Sequence, residues 1–117
     1  MSTEPETLTL AQVARRAVDV VDHEASDEAL TSFLARFEDR DEPVTAFEQP
    51  DEVFAEAAGA VDPDDPALQM AAAVASYLSF KRDEVDAQPE ELLRRAADAE
   101  FEGSPPPAVA GWLSERL

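Results

Sequence analysis

Leu68, Met70, Val74, Tyr77, Leu78 and Phe80, wound at 100° per residue, point around most of the circumference of a helix. A helix that is apolar on nearly every side has to be covered on nearly every side. The segment from about Pro66 to Arg82 is therefore expected to occupy the middle of a helical bundle. Asp65 is placed to cap it, and Pro66 suits its first turn, where a missing N–H costs nothing. Ala72, Ala75, Ser76 and Ser79 share one arc, where small side chains let another helix come close.

The remaining helices are amphipathic. Leu10, Val13, Ala14, Ala17, Val18 and Val21 follow the i, i+3, i+4, i+7 pattern, with Arg15, Arg16, Asp19 and Asp22 on the other side, and the pattern is expected to run from Leu8 to Glu24. Ser26 before Asp27 and Glu28 reads as the N-terminus of a second helix, striped by Leu30, Phe33, Leu34 and Phe37. Pro43 and Pro50 break the period over residues 39–50, leaving the longest connection, with Val44 and Phe47 turned to the core. Pro50 then opens a helix carrying Val53, Phe54, Ala57 and Val61 on one face. Pro89, Glu90 and Glu91 open a fifth with Leu92, Leu93 and Ala96 inward, and Gly103 lies beyond its end. Ser104 and prolines 105–107 start a short last helix with Val109, Trp112, Leu113 and Leu117.

No segment sustains a period-two alternation, so no sheet is expected. The expectation is an all-α fold, a compact bundle of about six helices around the apolar segment at about 66–82. Residues 1–7 are polar and expected to fray, and residues 8–117 to form a single helical domain.

The surface is dominated by charge: 27 Asp and Glu against 9 Lys and Arg give a formal net charge of −18. On a sphere of about 17 Å radius, that charge repels itself by about 10 kcal/mol at physiological ionic strength. Molar salt, with a screening length of about 3 Å, removes about half of this. Eight of the cations are Arg, Lys81 is the sole Lys, Ile and Asn are absent, and Ala fills 22 positions. This composition resembles that of proteins from halophilic archaea that keep molar salt in the cytoplasm. The resemblance implies that salt stabilises the chain and that the acidic coat speaks of habitat rather than of activity. A GC-rich genome accounts for Ala and Arg, but not for the charge. No apolar run reaches the ~20 residues of a membrane span, and the acidic opening MSTEPETLTL does not read as a signal peptide. The expected location is the cytoplasm, with no membrane partner.

Catalytic and metal chemistry find little material. There is no cysteine and one histidine, His23, which reads as a surface side chain near the end of the first helix. Position 20 is Val, so no Glu-x-x-His ligand pair forms. Glu52 with Glu56, and Asp62 with Asp64 and Asp65, read as solvated acidic faces rather than cation sites, and the latter loop lacks the glycine and distant Glu of a calcium loop. Three glycines and no phosphate-binding or nucleophile-elbow motif leave no cofactor expected.

Leu8 to Ala17, LTLAQVARRA, resembles the first helix of helix-turn-helix regulators. The resemblance implies nucleic-acid contact, for which the clustered cations are Arg15/Arg16, Lys81/Arg82 and Arg94/Arg95. Arg15, Arg16 and Arg36 on one exposed face of a unit of helices one to three would support it. The resemblance covers about ten residues and departs at once, because a glycine turn and a polar recognition helix do not follow. Against it, Arg15 pairs naturally with Asp19. Trp112, Leu113 and Leu117 form an apolar edge that suits either a partner protein or the chain's own core. The functional expectation is a small acidic, non-enzymatic protein-interaction or regulatory module, with a protein partner that includes a second copy among its options. The alternatives are a divergent helix-turn-helix regulator and a carboxylate-based small enzyme or metal protein.

Overall fold

The computed structural model describes residues 8–22, 27–81, 84 and 87–116. Among them are six α-helices: α1 (Leu10–Val21), α2 (Glu28–Ala35), α3 (Pro50–Val61), α4 (Pro66–Phe80), α5 (Pro89–Phe101) and α6 (Pro107–Arg116). A 3-10 turn, Val44–Ala46, interrupts the long connection, and the described residues contain no strand beyond a single bridge between Thr9 and Pro43. The fold is all-α, as the periodicities require.

Local chemistry sets each start. Thr9 and Gln12 form a reciprocal capping box on α1, with Gln12 N donating to Thr9 Oγ1 at 3.1 Å and Thr9 N donating to Gln12 Oε1 at 2.9 Å. Helix α1 thus begins at Leu10, two residues after the expected start, because Leu8 and Thr9 are extended partners of the long connection. Val44 N donates to Leu8 O, while Leu10 N and Ala11 N donate to Glu42 O and Arg40 O. Two amides that the first helical turn leaves orphaned are met by main-chain carbonyls distant in sequence. Its C-cap is Asp22, so the helix stops short of the expected Glu24; His23 and Ser26 lie outside the described residues.

Asp27 is the cap of α2, its carboxylate accepting from Ala29 N at 2.8 Å and Leu30 N at 3.2 Å. Helix α2 ends at Ala35, yet Phe37 in the following turn is buried and meets Phe33 edge-on at 5.3 Å and Phe54 of α3 at 5.1 Å. Asp65 caps α4 through Ala67 N at 2.9 Å. Pro50, Pro66 and Pro89 each stand in the first turn of their helices.

Eleven of the fifteen α4 residues are buried. Helices α3, α1 and α5 pack along it, with α6 and α2 in further contact. Neighbouring pairs α3–α2, α2–α1 and α1–α5 close the shell around α4 on that side, whereas α3 and α5 pack on α4 and not substantially on each other. The predicted small-residue arc of Ala72, Ala75, Ser76 and Ser79 is buried throughout, and Ser79 satisfies its hydroxyl by donating to Ala75 O at 2.8 Å. Two expectations for this helix change. It ends at Phe80 rather than Arg82, and Phe80, expected inward, is 59% exposed because it sits on the last turn past the covering shell. Tyr77 is half-buried, with its hydroxyl in a part-buried hydrogen bond to Glu84.

Candidate functional site

The opening between α3 and α5 is a groove floored by α4. One hollow of about 300 Å³ lies between Ala55, Ala58 and Gly59 of α3 and Glu100 and Phe101 of α5, over Gln69 and Ala72. A second of about 210 Å³ continues along α4 over Ala73, Ser76, Tyr77 and Phe80, between Asp51 and Ala99. Glu100 borders both. Gly59 leaves this wall open, since a Cβ built on it meets nothing within 4 Å. Phe80 at one end of the groove is the exposed large hydrophobic side chain among the described residues.

The groove's titratable lining comprises Asp51, Asp62, Glu100 and the Tyr77 phenol. None of the described lining residues is a cation, and the stretches that supply them hold none: residues 41–80 contain nine carboxylates and no Lys or Arg, and residues 96–115 contain four and none. All of α3, all of α4 and the second half of α5 come from these two stretches.

Beyond the second hollow, the α4–α5 connection is held by a polar clasp. The Tyr77 hydroxyl donates to Glu84 Oε1 at 2.7 Å, and Arg95 of α5 donates to the same oxygen while reaching Glu91 at 3.3 Å. The Tyr77 hydrogen bond, with the Arg95 guanidinium, holds the Glu84 carboxyl below its ordinary range; burial, then the facing carboxylate, pushes the Tyr77 phenol up. The groups satisfy one another, which is the chemistry of a structural tie.

The sequence-derived candidates fall in three places. Arg15 and Arg16 border one shallow hollow on α1 with Gln12 and Asp19. Within it Arg16, not Arg15, pairs with Asp19 at 2.9 Å, and its other Nη donates to Ala87 O at 3.0 Å, tying α1 to the α4–α5 connection. Arg36 is exposed and borders a different hollow with Arg40 and Glu56, so the three arginines do not line one pocket. Trp112 is 8% exposed and belongs to the core with Val109, while Leu113 is half-buried; Leu117 lies outside the described residues. Among the described residues no three His, Asp or Glu side chains converge to hold a metal ion, and no helix is long and apolar enough to cross a membrane. Phe80 and the groove were missed by sequence reasoning. The available signal was the mismatch between a helix apolar all round and the end of that helix, where cover runs out.

No protein-family model, curated protein or solved structure matches this chain.

Proposed function

We propose that this chain is a small acidic, non-enzymatic protein-interaction or regulatory module working in a salt-rich cytoplasm. The observation that carries the reading is Phe80, left 59% exposed beside a groove whose floor includes the small side chains Ala72, Ala73 and Ser76. Molar salt raises the cost of exposed apolar surface while screening charge, so a bare phenylalanine there is a strong candidate for cover by another protein. The acidic coat belongs to the same reading: it keeps the module hydrated and soluble in brine and leaves recognition to local features.

The test is size-exclusion chromatography of tagged protein in native extract at 2 M KCl, comparing wild type with Phe80→Ser. Wild type is expected in an assembly larger than the 12.7 kDa chain, with the variant shifted to the monomer position and its circular dichroism unchanged. Both proteins eluting as free chains would contradict the reading. Both remaining in the assembly would move the contact away from Phe80.

A further inference from the structure

We infer that the groove between α3 and α5 receives an arginine-bearing amphipathic helix of a partner protein. The inference rests on the interaction reading above and adds the place and the chemistry of the partner.

The dimensions suit a helix. From Gln69 to Phe80 the floor runs about 17 Å at 1.5 Å per residue, the length of about three helical turns. Between the larger Gln69, Tyr77, Phe80 and Phe101 the lining is small, with Ala55 and Gly59 on the α3 wall and Ala72 and Ala73 on the floor, so the side chains that fill the hollows have to come from the occupant. Anchors at i, i+3 or i+4, and i+7 would fill the two hollows and end against Phe80.

The charge pattern selects the flanks. Salt adaptation requires a net acidic surface, and elsewhere on this molecule cations are interspersed, as in Arg16–Asp19, Arg40–Glu42 and Arg95–Glu91. It does not require that Asp51, Asp62 and Glu100 line one groove with no cation among its described lining residues. Asp51 and Asp62 lie at opposite ends of α3 and Glu100 borders both hollows, which puts carboxylates along the whole length of the groove. A second copy of the chain would bring a like-charged face to this one, whereas a cationic helix complements it. Arginine is the fitting cation, because a guanidinium pairs with a carboxylate in two-point contact at about 2.8 Å, inside the ~3 Å screening length of molar salt.

The test places the photo-crosslinking residue benzoylphenylalanine, in the full chain, at Gly59, at Phe80, and at the exposed controls Ser32 and Arg15. Gly59 accepts it because its Cβ direction is open, and Phe80 because it is exposed. The proteins are irradiated in native extract at 2 M KCl and the adducts mapped to residue level by mass spectrometry. Adducts from positions 59 and 80 are expected on an amphipathic helical segment flanked by arginines, with yields lowered at least ten-fold by Glu100→Arg. Adducts on a second copy of this chain, on a segment without arginines, or with yields indifferent to Glu100→Arg would overturn the inference. Adducts from the control positions alone would overturn it too, while leaving the interaction reading standing. No adduct from any position would remove both.

Discussion

The Tyr77 hydroxyl donates to Glu84 Oε1 at 2.7 Å, joining the last turn of α4 to the connection that leads into α5. Tyr77 is the sole tyrosine, so its ionisation can be followed by absorbance near 295 nm without interference. Its phenol is held above the ordinary 10.0, by burial first and by the Glu84 carboxylate second. The wild-type midpoint is expected above 10.0, and Glu84→Gln should lower it while leaving the burial part in place. The stability signs follow. A raised phenol contributes fully below its unfolded value and is lost as pH climbs through the folded value. The lowered Glu84 carboxyl contributes above its ordinary 4.5 and is lost as pH falls through the folded value. The clasp is therefore complete between about pH 4.5 and 10. Identical midpoints for wild type and Glu84→Gln would show that the hydrogen bond is not made in solution.

Phe54 is fully buried against Phe37, which in turn stacks edge-on with Phe33. Phe54→Ala should cost about 3–5 kcal/mol in urea unfolding, from lost transfer energy and the cavity left behind. Phe80→Ser should change stability by less than about 0.5 kcal/mol, as expected for an exposed site. Similar losses at the two positions would mean that Phe80 is covered within the monomer.

Helix α5 ends on Glu102 at φ 52°, a left-handed conformation that costs a side-chain-bearing residue about 1 kcal/mol, followed by Gly103 at φ 84°. Glu102→Gly should stabilise the protein by about 1 kcal/mol relative to Glu102→Gln, which removes the same charge and keeps the conformational cost. Equal stabilities of the two variants would contradict the left-handed assignment.

Gly59 lies within α3 with open space where a Cβ would go. Gly59→Ala should add about 0.5–1 kcal/mol by helix propensity alone, read as a higher urea midpoint. A loss of stability would show that the groove is closed at this point.

Much of the architecture was legible because caps and apolar period agree over short distances. Asp65 with Pro66, and Pro50 and Pro89 at their helix starts, mark boundaries that the chain obeys. The stripe Leu30, Phe33 and Phe37 identified core residues correctly but overran the α-helix, since a tighter turn, with Arg36 N donating to Phe33 O and Phe37 N to Leu34 O, carries Phe37 inward. Long-range main-chain bonds, such as Ala11 N to Arg40 O, leave no trace in side-chain periodicity. Arg16 rather than Arg15 binds Asp19 because the Ala87 carbonyl, distant in sequence, fixes its guanidinium. The groove depended on which neighbours of α4 pack little on each other, a property of packing that the arc of Ala72 and Ser76 announced only as a place of close approach.

The net charge of −18 makes salt the decisive variable. Urea unfolding should be followed by circular dichroism at KCl concentrations from 0.1 to 2 M. If the acidic coat opposes folding by its own repulsion, the midpoint climbs steadily as screening shortens. A midpoint that stays flat from 0.1 to 2 M would contradict a surface built for brine.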